Sequence, residues 1–255
     1  MSPRPFKKII QIIYSVIVWI FLIVTCIPLF LIDLTIWALT FWWDKRTWIL
    51  HRYSIFWALI YVWLNPLWKI DITGRENIKK RKTYVIISNH QSALDIVVLY
   101  RLLTHFKWIA KRELFRVPII GWNLMLNKHV PIDRNNPRSA VVMMQKALDH
   151  LKQGSSMLVF PEGTRSEDGA IRRFKDGAFL IAKKGEVAIL PVVINGTLET
   201  MPKGSLVGGR QTFTIRVLPE VPFDSFKDKS VSDIAREMQQ LLVDEHKKIA
   251  PKYYS

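Results

Sequence analysis

Apolar and polar positions divide the chain into two textures. From Ile9 to Ile32 there is no charged residue, and Gln11, Ser15 and Thr25 are the polar side chains of the run. As a helix it would reach about 36 Å, longer than the roughly 30 Å hydrocarbon core of a bilayer. No small-residue cleavage site follows, so the run reads as a retained anchor rather than a signal peptide. Pro28 is expected to interrupt it, after which the apolar pattern resumes to Trp43 and turns at Asp44-Lys45-Arg46. A second apolar stretch, Ser54 to Trp68, is broken at Asn65-Pro66. Eight of the ten tryptophans fall at positions 19, 37, 42, 43, 48, 57, 63 and 68, and that clustering is typical of headgroup depth. A transmembrane hairpin, a single span with an interfacial helix, and a monotopic hairpin in one leaflet all remain open, the last favoured by the short, Trp-rich second stretch.

From Lys69 onward short β-branched runs alternate with helical periodicity. Strands are predicted at Ile70–Thr73, Thr83–Ser88, Trp108–Ala110, Met157–Phe160, Val187–Ile194 and Thr212–Val217, with an edge strand at His129–Asp133 because it contains Pro131. Helices are predicted at Ile96–Leu103, Pro118–Leu126 and Asp176–Lys184. Another follows Asn136-Pro137, with Ala140, Val141, Met144, Ala147, Leu148 and Leu151 at helical spacing and Gly154 closing it. Ser230 with Asp233 resembles a capping box ahead of Ile234, Met238, Leu241 and Leu242. Residues 199–211, with three glycines close together, read as a mobile loop. The alternation implies an α/β fold, a mostly parallel sheet covered by helices on both faces, preceded by an N-terminal membrane-associated two-helix segment. The expected division is 1–68 for the anchoring hairpin and 69–255 for the α/β domain.

Charge narrows the partners. The 255-residue chain carries a formal net charge of +16, and its first seventy residues are mostly apolar. The basic excess therefore lies largely on the α/β part and suits anionic ligands: nucleic acid, anionic headgroups, or phosphorylated substrates and carriers. No groove-reading element or aromatic-basic interleaving supports nucleic acid. Cys26, the only cysteine, lies in the apolar run and reads as a small hydrophobe.

The chemistry concentrates at two strand ends. His90 follows the strand Thr83–Ser88, with Asp95 five residues on where a helix begins. A neutral imidazole can take a proton from an alcohol, and a carboxylate behind it fixes the tautomer. Taken alone, the pair reads equally well as a strand-end cap and a helix cap. The second site is Phe160-Pro161-Glu162-Gly163-Thr164-Arg165-Ser166, again at the end of a buried strand. Gly163 permits close backbone approach, Arg165 offers a fork for phosphate oxygens, and Glu162 can accept from a substrate hydroxyl. There is no G-x-S-x-G elbow, no Walker A loop and no zinc-like histidine spacing. A base without a protein nucleophile fits direct attack by a substrate hydroxyl on an activated acyl group.

Asn89-His90 with Asp95 resembles the N-H-x-x-x-x-D motif of the glycerolipid acyltransferases, and Phe160–Ser166 is similar to their F-P-E-G-T-R-S motif. Ala110–Leu114, Gly121 and Ile132-Asp133-Arg134 match the block between, and Leu190-Pro191-Val192 the last. The nearest resemblance is to the 1-acyl-sn-glycerol-3-phosphate acyltransferases. It implies His90 as general base and Asp95 as its partner. It implies Glu162, Gly163, Thr164 and Arg165 as binders of the glycerol phosphate. Lys111 and Arg134 become further phosphate or carrier contacts, a task Arg112 could share. It also implies acyl-CoA or acyl-carrier protein as co-substrate, no cofactor and no metal. Lysophosphatidic acid and membrane lipids would be partners, nucleic acid would not, and the catalytic part would face the cytoplasm. Another lyso-acceptor, or hydrolysis of the thioester by water, stays open as an alternative.

Overall fold

The computed structural model describes residues 5–201 and 209–254. Its first element is one helix, α1 (Pro5–Thr40), running without a break through Pro28. The expected interruption does not occur. A proline removes one hydrogen bond, and a long helix packed along a second one can carry that loss without ending. A turn capped by Asp44, whose Oδ2 accepts from the backbone N–H of Ile49 at 2.8 Å, leads into α2 (Trp48–Trp63). The two lie antiparallel: Tyr53 Oη donates to Leu29 O at 2.8 Å, and Asn65, just beyond α2, donates to Tyr14 Oη at 2.7 Å.

The sheet has seven strands in the order β1-β7-β6-β2-β5-β3-β4. They are β1 (Trp68–Thr73), β2 (Tyr84–Ser88), β3 (Phe106–Lys111), β4 (Val130–Ile132), β5 (Ser156–Val159), β6 (Ala188–Asn195) and β7 (Gln211–Val217). All neighbours pair in parallel except β6 and β7, so β1 and β7 oppose the other five. Pro131 sits on β4 at the outer edge, where a missing N–H removes no ladder bond.

Helices cover both faces, as the alternating pattern predicts. On one face α5 (Pro137–Lys152), α6 (Gly177–Gly185) and α8 (Val231–Ile249) pack on Val85, Ile87, Met157, Ile189 and Val193. The caps are those expected: Asn136 accepts from Arg138 N at 3.0 Å, and Ser230 from Asp233 N at 3.1 Å. The buried face of α5 is Met143, Ala147 and Leu151, while Val141 is 71% exposed, a small rotation from the expected stripe. On the other face, Ile55 and Leu59 of α2 join Val98 and Leu99 of α3 (Leu94–Leu99) against Tyr84, Ile86, Leu158, Leu190, Phe213 and Ile215. The second arm of the hairpin is therefore part of the sheet's core. Beside it runs α4 (Ile120–Leu126), where Trp122 meets Phe30 of α1 with ring centroids 5.5 Å apart. Ile12–Thr40 is long and apolar enough to cross a membrane, and little of it is buried. Most of the expected glycine-rich loop, 202–208, lies outside the described residues; just before it Thr197–Thr200 forms a short helical turn, α7.

Candidate active site

The strand order places a switch point at β2. The chain leaves β2 for β3 on one side, and later returns to β6 on the other, with β5 slotted between β2 and β3. Loops diverging at such a point leave a crevice beyond the carboxyl ends of the strands. His90 comes from the end of β2, and Phe160–Ser166 from the end of β5 beside it.

His90 Nδ1 lies 2.7 Å from Asp95 Oδ2, and the Asp95 side chain is fully buried. The carboxylate is held from three sides. Its Oδ2 also accepts the backbone N–H groups of Gln91 at 2.7 Å and Ser92 at 2.9 Å, and its Oδ1 accepts from the Thr197 hydroxyl. A carboxylate so placed takes a proton-bearing Nδ1, which leaves the lone pair on Nε2 as the base. The imidazole lies flat on Phe160, with ring centroids 3.9 Å apart and planes 11° apart, and Trp108 continues the stack at 5.9 Å. Its remaining exposure is 14%, enough for one edge to face a substrate.

Asn89 ties this loop to the sheet. Its side chain donates to Ile194 O and accepts from Ile194 N, both at 2.8 Å, copying a strand residue beside β6. Gln91 donates to Gly169 O at 3.0 Å, and Ser92 Oγ to Met201 O at 2.8 Å.

Glu162 joins the two motifs. It is 4% exposed; Oε1 accepts the His90 N–H at 2.8 Å, and Oε2 the Arg172 N–H at 3.0 Å. Both of its oxygens hold backbone N–H groups, where the sequence predicts a bond to a substrate. Burial pushes its carboxyl up to about 7, against the pull of those two N–H groups. The Ser166 N–H returns to His90 O at 2.8 Å, closing the buckle. Gly163 sits at φ +73°, and a Cβ there would come within 3.0 Å of Lys175 Nζ. The positive φ favours glycine at this position, and the flexible Lys175 chain lies against the space a Cβ would take.

Thr164 is exposed and Arg165 half-buried on the outer side of the same turn, and Arg165 makes no hydrogen bond or ion pair among the described residues. Lys111 is the last residue of β3 and Arg134 follows β4, at the same end of the sheet, one and two strands beyond β5. Lys111 is 53% exposed and pairs with Glu113 at 3.3 Å; Arg134 is exposed; neither is bonded to the His90 group. Phe160 joins the site as the stacking partner of His90, and Thr197 completes it without having been singled out. Thr197 stands 102 residues from its partner in a four-residue turn, and nothing in the local pattern marks it. Among the described residues no group of three or more His, Cys, Asp or Glu side chains could hold a metal.

The structure joins a buried His–Asp dyad, its Nε2 turned away from Asp95, to a basic turn on a doubly covered sheet, and comparison with known proteins gives the family: the chain belongs to the acyltransferase family, whose model matches residues 69–195. Within that family it groups with the 1-acyl-sn-glycerol-3-phosphate acyltransferases. A chloroplastic 1-acyl-sn-glycerol-3-phosphate acyltransferase of Arabidopsis thaliana is 41% identical over 187 residues, covering 73% of this chain and 52% of the plant protein. One from Chlamydomonas reinhardtii is 36% identical over 240 residues, covering 91% of this chain and 71% of the algal one. The chain thus spans about half the length of the plant chloroplast relatives it matches (52% and 54%). The fold is shared with the crystal structure of the 1-acyl-sn-glycerophosphate acyltransferase PlsC of Thermotoga maritima, at a TM-score of 0.80 over 95% of this chain and 97% of that one, with 24% identity.

Proposed function

We propose that this protein moves a fatty acyl group from an acyl thioester, acyl-CoA or acyl-carrier protein, to the sn-2 hydroxyl of 1-acyl-glycerol-3-phosphate, giving phosphatidic acid. The observation that carries this reading is the His90–Asp95 dyad, its Nε2 open and no nucleophilic side chain bonded to it, buckled to the Arg165 turn. Nε2 takes the proton of the acceptor hydroxyl as its oxygen attacks the thioester carbonyl. The tetrahedral intermediate collapses, the C–S bond breaks, and the imidazolium returns the proton to the departing thiolate. Asp95, charged and fixed by two N–H groups and a hydroxyl, stabilises that imidazolium throughout. No cofactor is required. Arg165, without a partner among the described residues, is the fork for the acceptor phosphate, with Gly163 and Thr164 shaping the turn and Lys111 and Arg134 as outlying cations.

The membrane supplies the acceptor. The long apolar helix α1 would hold the catalytic unit against the bilayer, facing the cytoplasm where acyl thioesters are delivered. Holding the site at headgroup depth lowers the positional cost of bringing an aqueous donor to a lipid acceptor.

The test offers purified protein a labelled acyl-CoA with a panel of lyso-acceptors and with none. Transfer to lysophosphatidic acid should dominate, and Arg165→Ala should raise its KM by about tenfold or more while kcat changes less. Preference for a lysolipid with a neutral headgroup would overturn the acceptor assignment. Equal release of free fatty acid with and without acceptor would make the protein a thioesterase.

A further inference from the structure

Past α8 the chain turns back towards the active site. Pro251–Tyr253 form one helical turn, and this tail reaches the three segments around the His90–Asp95 pair. The first contact is with the His90 loop, through His246 of α8, which is fully buried. Gln91 lies next to the base, and its backbone N–H is one of the donors to Asp95 Oδ2. Its side-chain NH2 donates to Gly169 O at 3.0 Å and faces His246 Nε2 at 3.3 Å. An amide NH2 only donates, so His246 Nε2 carries the lone pair and the ring proton sits on Nδ1, 2.9 Å from Tyr254 Oη. Burial keeps that ring neutral, lowering its pKa to about 4. The second contact is with the irregular stretch after β5. Tyr254 Oη accepts the Ile171 N–H at 3.2 Å, one residue before the Arg172 N–H that Glu162 binds. The Tyr253 ring lies against Gly169, whose φ of +85° and lack of a Cβ leave it room. The third contact is with α7. Tyr253 Oη donates to Glu199, which also pairs with Lys252, and two residues earlier the Thr197 hydroxyl donates to Asp95 Oδ1. Tyr253 stacks on His246 with ring centroids 5.7 Å apart and planes 12° apart, which joins the two arms.

These contacts fall where local structure is weakest. α7 is four residues long, and a single helical turn is not stable by itself. Residues 161–175 form neither helix nor strand. The places of Thr197 and of the Glu162 buckle therefore depend on what braces them from outside. We propose that residues 246–254 clasp the catalytic pair in its reactive geometry, with one arm ending on each oxygen of Asp95. Tyr254 acts through His246 and Gln91 on Oδ2, and Tyr253 acts through Glu199 and Thr197 on Oδ1. All of them work through other residues, so they are positioning residues. The inference rests on the acyl-transfer reading above and extends that site beyond its two motifs. A displacement of about 1 Å at a reacting pair can lower a rate on the order of 10²-fold, so slack in the clasp reaches turnover.

Tyr253→Phe and Tyr254→Phe each remove one hydroxyl and keep the ring. In the full chain in neutral detergent, each should lower kcat by about three- to tenfold and leave the KM for acyl-CoA and for lysophosphatidic acid unchanged. Glu199→Gln should repeat the Tyr253→Phe effect. In a Thr197→Val chain, where one path to Asp95 is already cut, Tyr253→Phe should add no further loss, while Tyr254→Phe should still act. Hydrogen exchange read by mass spectrometry needs no turnover: Tyr254→Phe should speed exchange over residues 90–95 and leave β2 as it was. Unchanged kcat in both tyrosine variants would overturn the inference. So would additive losses from Tyr253→Phe and Thr197→Val, or a loss of kcat accompanied by faster exchange across the whole sheet, which would make the tail a brace of the fold. If the wild-type chain transferred nothing to lysophosphatidic acid yet exchange over residues 90–95 responded as expected, the acceptor assignment would fail and the clasp would stand.

Discussion

At the scale of single residues, the site is built from acceptors that have no spare capacity. Asp95 accepts two backbone N–H groups and the His90 ring on one oxygen, and Thr197 on the other. Asp95→Asn keeps the shape but presents an NH2 to groups that are themselves donors, or turns the imidazole to the wrong tautomer. Turnover should fall on the order of 10³- to 10⁴-fold with little change in substrate affinity, and His90→Ala should do as much. Near-normal kcat in either would remove the base from the mechanism. Glu162 makes a different prediction because its partners are both backbone. In Glu162→Gln one of the His90 and Arg172 N–H groups must face an amide NH2 in a buried place. A loss of about 1–3 kcal/mol in stability is expected, with a fall in kcat larger than any rise in the acceptor KM. A pure KM effect would instead put Glu162 on the substrate.

Elements show where local pattern ends and tertiary structure begins. Strand ends, the β4 edge and the caps at Asn136 and Ser230 were legible because period, proline and cap chemistry act within a few residues. The continuity of α1 through Pro28 was not, since packing along α2 decides it. Nor was the role of Lys107. It alternates into a strand as if solvated, yet it is fully buried and donates to Thr47 Oγ1 at 2.6 Å and Asn127 O at 2.8 Å. Those bonds join the turn before α2, the end of α4 and β3 at one ammonium. Likewise His90 and Asp95 were readable as a pair, while Thr197 and the buckle of Glu162 depend on which strands become neighbours. Lys107 carries a pH prediction. Burial lowers its ammonium from 10.5 to about 7, an effect larger than the opposing pull of Asp44. Between about pH 7 and pH 10 the unfolded chain holds a proton that the folded one has released, so stability rises with pH across that window. The rise should be on the order of 2–4 kcal/mol, and Lys107→Met should flatten it. Thermal unfolding in detergent at pH 7, 8.5 and 10 measures the difference, and identical slopes in the two proteins would contradict the assignment.

For the whole molecule, the division between anchor and catalytic unit does not fall at the end of the hairpin. Leu50, Ile55, Trp57, Leu59 and Val62 of α2 are buried, and Ile55 and Leu59 pack on the same cluster as α3 and five of the strands. At roughly 1.5–3 kcal/mol for each large apolar side chain removed from water, those five contribute on the order of 10 kcal/mol. That is as large as the whole stability of an ordinary domain. A fragment of residues 69–255 should therefore aggregate or lack a cooperative melt. The first helix behaves differently along its length, because Ile13, Ile17, Ile20, Val24 and Ile27 are all more than half exposed and make little protein core. A chain beginning at Pro28 keeps the contacts of Phe30 with Trp122 and of Asp33 with Asn123, and loses chiefly the exposed apolar face. It should fold, retain the His90–Asp95 chemistry toward acceptor dispersed in detergent, and fail to float with phospholipid vesicles that the full chain binds. Size-exclusion, circular dichroism and flotation of the two truncations separate the roles of the hairpin's arms. A monomeric, cooperatively melting 69–255 fragment would show that α2 belongs to the membrane and not to the core. Undiminished flotation of the chain from Pro28 would show that the exposed face of α1 is not what holds the protein to the bilayer.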